Sequence, residues 1–221
     1  MVRGVARFLS VVAGLALTGC GATMTAPLAK GTTEVSASLG GPMIVFGGAP
    51  VPLPVSTVGL AHAVSDTVTM RGALHPTAAT FGVAGLDLGV VAHPILGHRA
   101  ALTLGIDAYG FGNGADAVLL ADPWVATRWK LAPWFALAGG IHVPIRYATS
   151  SPELRGTTPV APMVFVQPAF VVGRFELDVE LRWYALASNG SILAPGWVSP
   201  GGVGTLGLVF GVAYRFGEVS P

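Results

Sequence analysis

The chain has 221 residues, of which 52% are hydrophobic and only 10% are charged, and its formal net charge is +1. An ordinary soluble domain carries about 25% charged residues. This composition therefore excludes an ordinary soluble domain whose whole surface contacts water. The near-neutral net charge predicts no nucleic-acid partner. The single cysteine excludes an intramolecular disulfide.

The first segment has the features of an export signal. Arg3 and Arg7 precede an apolar run over residues 8–17, which is too short to span a bilayer. The residues that follow, Leu17-Thr18-Gly19-Cys20, resemble the lipobox of bacterial lipoproteins. This resemblance implies that residues 1–19 are removed as a signal peptide and that Cys20 is acylated, for example with palmitate. The remaining chain would have 10 basic and 11 acidic residues, a net charge of 10 − 11 = −1.

After a lipidated tether over residues 20–33, ten segments alternate apolar and polar side chains with the period of two of a β-strand. In residues 175–183, every even position is charged and every odd position is apolar. The predicted strands are 34–46, 54–64, 67–76, 80–93, 99–111, 118–130, 133–147, 160–172, 175–187 and 203–216. They predict an all-β fold over residues 34–216, an up-and-down antiparallel transmembrane β-barrel of about ten strands, with eight as the alternative. A short C-terminal tail, 217–221, follows.

The connections between these strands are alternately short and long. Short turns are predicted at 65–66, 94–98, 131–132 and 173–174, and longer loops at 47–53, 110–117, 148–159 and 188–202, with only 77–79 breaking the pattern. Bacterial outer-membrane barrels have short periplasmic turns and longer external loops. The pattern predicts a monomer surrounded by outer-membrane lipid, with both termini and the lipid anchor on the periplasmic side. Loops 148–159 and 188–202 are the predicted binding sites for an external ligand.

Formal charges within the predicted strands fall on one face, which we assign to the lumen. The predicted lumen network consists of Glu34, Arg71, Asp87, Asp107, Asp122, Arg128, Lys130, His142, Arg146, Glu176, Asp178, Glu180, Arg182 and Arg215. In a small barrel such groups are expected to pair across strands and fill the interior. The alternative is a narrow polar pore lined by the same residues.

Aromatic residues near strand ends predict the girdles that lie at membrane interfaces. They are Trp129, Tyr147, Trp183, Tyr214 and Phe216. The last strand, ending on Phe216, also resembles the C-terminal signal of outer-membrane barrels, although residues 217–221 depart from it. Pro168 removes a backbone donor from the middle of a strand, and we therefore predict a bulge near Gln167.

These features predict a non-enzymatic barrel that is structural, adhesive or weakly pore-forming, with no metal and no cofactor. One alternative inverts the two faces and gives a soluble, lipid-tethered periplasmic β-barrel that carries an apolar ligand, similar to a lipocalin. Another is a barrel enzyme, because the strand count is similar to that of the omptin proteases. The carboxylate and histidine pairs of that family are not recognised near the outer rim, where only the register could bring His75 to Asp107. His93 and His98 are interpreted as solvated turn residues.

Overall fold

The computed structural model describes residues 21–114, 116–150, 160–189 and 198–217. The predicted signal peptide with Cys20, most of the two predicted binding loops and the tail from residue 218 lie outside the described residues. The strands are β1 (Thr33–Phe46), β2 (Ala49–Pro52), β3 (Val55–Ala63), β4 (Val68–Leu74), β5 (Ala84–Leu96), β6 (Ala100–Gly112), β7 (Ala117–Ala132), β8 (Phe135–His142), β9 (Ile145–Thr149), β10 (Met163–Val172), β11 (Phe175–Asn189) and β12 (Val203–Phe216). A short helix α1 spans Pro76–Thr80, and a 3₁₀ turn spans Pro200–Gly202.

The strands form a closed antiparallel barrel. Each pairs with its neighbours in chain order, and β1 pairs with β12 from Thr33 opposite Phe216 to Pro42 opposite Gly207. Strand β2 pairs with the end of β1 that lies farthest from Thr33, and β9 continues β8 along β7. Neither therefore adds a separate strand to the barrel wall. The barrel wall therefore has ten strands, and the predicted fold is confirmed.

The turns at the end of the barrel that contains both Thr33 and Phe216 have two to four residues, and the connections at the other end are longer except for the four-residue β6–β7 connection. Following the rule for bacterial outer-membrane barrels, we call the first end periplasmic and the second extracellular. At the periplasmic end the β7–β8 turn is formed by residues 133–134 and the β10–β11 turn by 173–174.

Several local predictions were wrong. The predicted strand 133–147 is divided into β8 and β9, and the predicted loop 110–117 is reduced to residues 113–116. The predicted loop 47–53 contains β2, because Gly47 and Gly48 have φ values of 58° and 84°, which permit a tight two-residue hairpin turn. The connection around residues 76–80 is a helix begun by Pro76, a residue favoured at the first helical position. The bulge near Gln167 is absent, since the β8–β10 register is continuous from Met163 to Phe170.

The outer and inner faces of the wall differ in polarity. Large apolar side chains are exposed on the outside, including Leu88 at 58% and Ile106 at 54%, whereas Asp122 and Glu180 are fully buried inside. A soluble barrel would place its charges toward water, so the inverted, ligand-carrying alternative is excluded. Within the described ranges, no helix is long and apolar enough to cross a membrane.

Glycines on the inner face make room for large side chains. A Cβ atom at Gly105 would overlap the Trp124 indole, and one at Gly207 would overlap the Tyr184 ring. The lumen is thus packed closely where aromatic rings lie flat against the wall.

The predicted girdle residues lie near the two ends. Trp129, Tyr214 and Phe216 are at the periplasmic ends of β7 and β12, whereas Tyr147 and Trp183 are on the extracellular half. Ring centroids of Tyr214 and Phe216 are 4.7 Å apart, and those of Tyr214 and Phe175 are 4.8 Å apart.

Candidate functional site in the barrel lumen

The periplasmic half of the lumen holds a continuous ion-pair network. Arg215 Nε lies 3.0 Å from Glu34 Oε2, and Arg215 Nη2 lies 2.5 Å from Glu176 Oε2. Arg128 donates two parallel hydrogen bonds to Glu176, of 2.8 and 3.1 Å. The network joins β1, β12, β11 and β7, so it connects opposite walls of the barrel. Bidentate arginine–carboxylate pairs are strong and directional, which fixes the spacing of these walls.

Further pairs lie toward the middle of the lumen. Asp107 accepts a 2.8 Å hydrogen bond from Trp124 Nε1 and lies 3.4 Å from Arg71 Nε. Asp122 Oδ2 is 2.8 Å from His142 Nδ1. On β11, Glu180 pairs with Arg182, and both side chains are buried.

Several predicted positions need correction. Lys130 is exposed near the periplasmic end of β7 and lies outside the network. Arg146, by contrast, lies on the inner face opposite the buried Leu120, half-buried near the extracellular end on β9. His75 pairs with Asp87 at 2.7 Å and not with Asp107, because the register places Asp87 beside it. His93 is buried and its Nδ1 lies 3.1 Å from Thr103 Oγ1, so it is not a solvated turn residue.

The interior of the barrel also contains the chain's own N-terminal residues. Residues 21–29, here called the plug, lie inside the lumen, with Thr23, Thr25, Ala26 and Leu28 buried. In the sequence this segment of small residues belongs to the predicted lipidated tether over residues 20–33. Its small side chains are nevertheless suited to a confined space between charged walls.

Thr23 forms the deepest set of plug contacts. Its backbone N–H donates to Glu180 Oε2 at 2.7 Å, and its hydroxyl donates to Glu180 Oε1 at 3.1 Å. The same hydroxyl lies 3.0 Å from His142 Nε2. Arg182 donates to the carbonyl of Gly21 and, at 3.3 Å, to the Thr23 hydroxyl.

Gln167 and Arg128 hold the next part of the plug. Gln167 Nε2 donates to the Thr23 carbonyl at 2.9 Å, and its Oε1 accepts from the Thr25 hydroxyl at 2.9 Å. Arg128 donates to the Thr25 hydroxyl at 3.1 Å, and Thr103 Oγ1 donates to the Thr25 carbonyl at 3.3 Å. The plug is therefore attached by directional hydrogen bonds to one side of the lumen.

A cavity of about 50 Å³, lined by both polar and apolar groups, lies on the other side of the plug. It is bounded by the plug and by residues of β1, β3, β4, β11 and β12, including Ser38, Thr57, Arg71 and Asp178. Asp178 Oδ1 is buried and has no hydrogen-bond partner among the described residues. One water molecule needs about 10–15 Å³ by a comparable measure, so the cavity has room for a few waters.

The plug enters the barrel at its periplasmic mouth. The Gly31 N–H donates to the Ala63 carbonyl at 2.8 Å, the Ala63 N–H donates to the Thr32 carbonyl at 3.0 Å, and the Lys30 N–H donates to Asp66 Oδ1 at 2.9 Å. Arg182, at the other end of the plug, is seven positions beyond the start of β11 at Phe175 (182 − 175). At 3.3 Å per residue and a tilt near 40°, this places Gly21 about 18 Å above the periplasmic edge.

Comparison with known proteins gives a fold but no family. No family model matches the chain, and no curated protein matches it. Among solved structures, it is similar to an outer membrane channel from Pseudomonas putida F1, with a TM-score of 0.50 and 11% identity over 90% of this chain and 98% of that one. The chain has the fold of a bacterial outer-membrane β-barrel.

Two further structures are similar at lower scores. The NanC porin gives a TM-score of 0.45 with 8% identity, covering 85% of this chain and 100% of that chain. The outer membrane protease OmpT from Escherichia coli gives 0.41 with 10% identity, covering 87% and 99%. These similarities at low identity concern architecture, and they assign no activity to the lumen of this barrel.

The two histidine–carboxylate pairs are sealed inside the barrel. His75 and Asp87 are buried below the extracellular end, and Phe111 packs edge-on against His75 with ring centroids 4.9 Å apart. His142 faces Asp122 on one side and the plug on the other. Among the residues that the structure describes, no three His, Cys, Asp or Glu side chains are grouped as metal ligands.

The external partner predicted for loops 148–159 and 188–202 stays a prediction, because residues 151–159 and 190–197 are outside the described residues.

Proposed function

We propose that this protein is a non-enzymatic outer-membrane channel whose lumen is closed by its own N-terminal segment as long as Cys20 carries no lipid. The observation that carries this proposal is the set of hydrogen bonds between the plug and buried side chains of the wall: Thr23 donates to Glu180, whereas Gln167 and Arg128 donate to Thr23 and Thr25. A rigid structural barrel needs no such insert, since it could fill its interior with wall side chains alone. The plug instead occupies space that a polar passage would use, and a small cavity lies beside it.

Deleting residues 21–29 is expected to open the barrel. We would refold a chain that begins at residue 20, with Cys20→Ser to remove the lipid site, and compare its single-channel conductance with that of the deletion variant. The intact chain is expected to be silent, and the variant to show discrete steps. The steps should be cation-selective, since among the described residues the lumen faces contain seven acidic residues and five arginines, 5 − 7 = −2. These are Glu34, Asp87, Asp107, Asp122, Glu176, Asp178 and Glu180, and Arg71, Arg128, Arg146, Arg182 and Arg215.

Faster electrophoretic migration of unboiled samples serves as the folding control for both chains. A deletion variant that shifts in this assay yet does not conduct would contradict the channel proposal and leave a structural barrel. Equal conductance of both chains would show that the plug does not close the lumen.

Lipidation of Cys20, as proposed, is incompatible with binding of the plug inside the lumen. Cys20 is bonded to Gly21, and consecutive Cα atoms are about 3.8 Å apart, while the Gly21 carbonyl accepts a hydrogen bond from Arg182 at mid-height in the lumen. Acyl chains gain about 0.8 kcal/mol per buried CH₂ in lipid, a gain that a charged lumen cannot supply. In this proposal the lipidated protein has an empty lumen.

The Cys20→Ser substitution is accordingly expected to have two effects. It should abolish incorporation of labelled palmitate in cells, and the refolded chain from residue 20 with this substitution should conduct less than the lipidated protein, because its plug stays inside the lumen. Labelled palmitate uptake and the conductance of protein purified with and without the substitution measure both effects. Palmitate on the Cys20→Ser variant would contradict the lipobox assignment, and a silent lipidated protein would contradict the mutual exclusion.

A further inference from the structure

The side chains that hold the plug form a peptide-binding surface of their own. Four of them contact backbone atoms of the plug, and each is at least nine-tenths buried: Arg182, Glu180, Gln167 and Thr103. They bind the Gly21 carbonyl, the Thr23 N–H, the Thr23 carbonyl and the Thr25 carbonyl, respectively. Recognition of backbone groups does not depend on side-chain identity, so these four contacts identify the ligand as a polypeptide, and any selectivity must come from contacts to its side chains.

The spacing of the contacts selects an extended conformation. The bound carbonyls belong to residues 21, 23 and 25, and alternate residues of an extended chain face the same side. The hydroxyls of Thr23 and Thr25 point to this wall and are bound by Glu180, Gln167 and Arg128. The intervening Ala22 and Met24 line the cavity and are only half-buried. The wall therefore recognises hydroxyl residues spaced by two and tolerates other residues between them.

We infer that the lumen wall formed by β6, β7, β8, β10 and β11 is a binding site for extended peptides with Ser or Thr at alternate positions, and that the plug is its intramolecular ligand. This inference rests on the proposed function, because a ligand from outside binds only when the plug is out. Such a ligand enters from the periplasmic mouth, where the plug itself enters. The barrel then binds a polypeptide segment of another molecule in place of residues 21–29.

The affinity of a free plug peptide for the open barrel can be bounded, because the plug is covalently linked to β1. A segment on a short flexible linker has an effective concentration in the millimolar range, and it closes the lumen only if its dissociation constant is below that value. The free peptide is therefore expected to half-block the open barrel at about 1 mM or less.

The test uses the barrel lacking residues 21–29 and the capped peptide Gly-Ala-Thr-Met-Thr-Ala-Pro-Leu-Ala, added on the periplasmic side of a planar bilayer. The matched control replaces both threonines by valine, which has nearly the same shape. The control removes hydrogen bonds to buried Glu180 and Gln167, so its blocking concentration should be about ten- to a hundredfold higher. Block by the threonine peptide with weaker block by the valine peptide supports the inference.

Equal block by both peptides, or none by either, overturns the peptide site while leaving the channel proposal intact, because the deletion barrel still conducts. A second variant tests the inference if the deletion variant does not fold. The full chain with Thr23→Val and Thr25→Val should open in brief steps, which the threonine peptide should shorten. Openings that this peptide does not affect would also contradict the inference.

Discussion

Arg182→Met is expected to lower the free energy of unfolding by about 3–5 kcal/mol, the cost of breaking a buried ion pair by removing one partner. Arg182 is 1% exposed and pairs with Glu180, which is 0% exposed. The methionine has a similar length and fills the space, but Glu180 is left as a buried charge facing the plug. The Gly21 carbonyl loses its donor at the same time.

The midpoint temperature at which the unboiled, fast-migrating form disappears in lipid vesicles reports this loss, and urea unfolding gives its magnitude. The double variant Glu180→Gln with Arg182→Met is the control, because it removes both charges. We expect the double variant to be more stable than Arg182→Met alone. A loss below about 1 kcal/mol for Arg182→Met would mean that solvent screens the pair as it does on a protein surface.

Ile106→Arg is expected to destabilise the folded barrel in lipid by about 2–4 kcal/mol, the cost of a cationic side chain near the bilayer midplane. Ile106 lies at the middle of β6 and points outward, with Val90 and Pro123 beside it on the neighbouring strands. An arginine there must leave water for hydrocarbon or extend along the wall to reach the interface.

Ile95→Arg is the matched control, since Ile95 is equally exposed but lies near the periplasmic end of β5. Its expected cost is about 0–1 kcal/mol, because arginine near an interface reaches the headgroups. Urea titration of both variants in the same vesicles gives the two values. Equal costs at both positions would contradict the assignment of this face to lipid.

The alternation of side chains along each strand predicted that these charges face the lumen, but it did not predict which residues they contact there. Glu176 and Glu180 lie on one face of β11 in any register, because side chains alternate along a strand. Whether Glu176 meets Arg128 across the lumen depends on barrel diameter and on the stagger of strands that are far apart in sequence. His75 illustrates the same limit, since a shift in register decides between Asp87 and Asp107 as its partner.

The plug contacts had no signal in the sequence. Thr23 and Thr25 belong to a segment of small residues that resembles a flexible linker, and Gln167 is an uncharged residue beside a proline. Their roles arise from contacts between positions more than 140 residues apart.

The sequence by itself determined the barrel architecture, its strand number and which face meets lipid, because these follow from a period of two repeated along each strand and from turn length. Only the tertiary structure decided what fills the lumen. The space inside a closed wall is set by the strand number, the stagger and the small residues at Gly105 and Gly207 together. Residues 21–29 occupy that space because they supply further hydrogen-bond partners to Glu180, Gln167 and Arg182, whose buried polar atoms would be costly to leave unsatisfied. No local pattern of residues records that requirement.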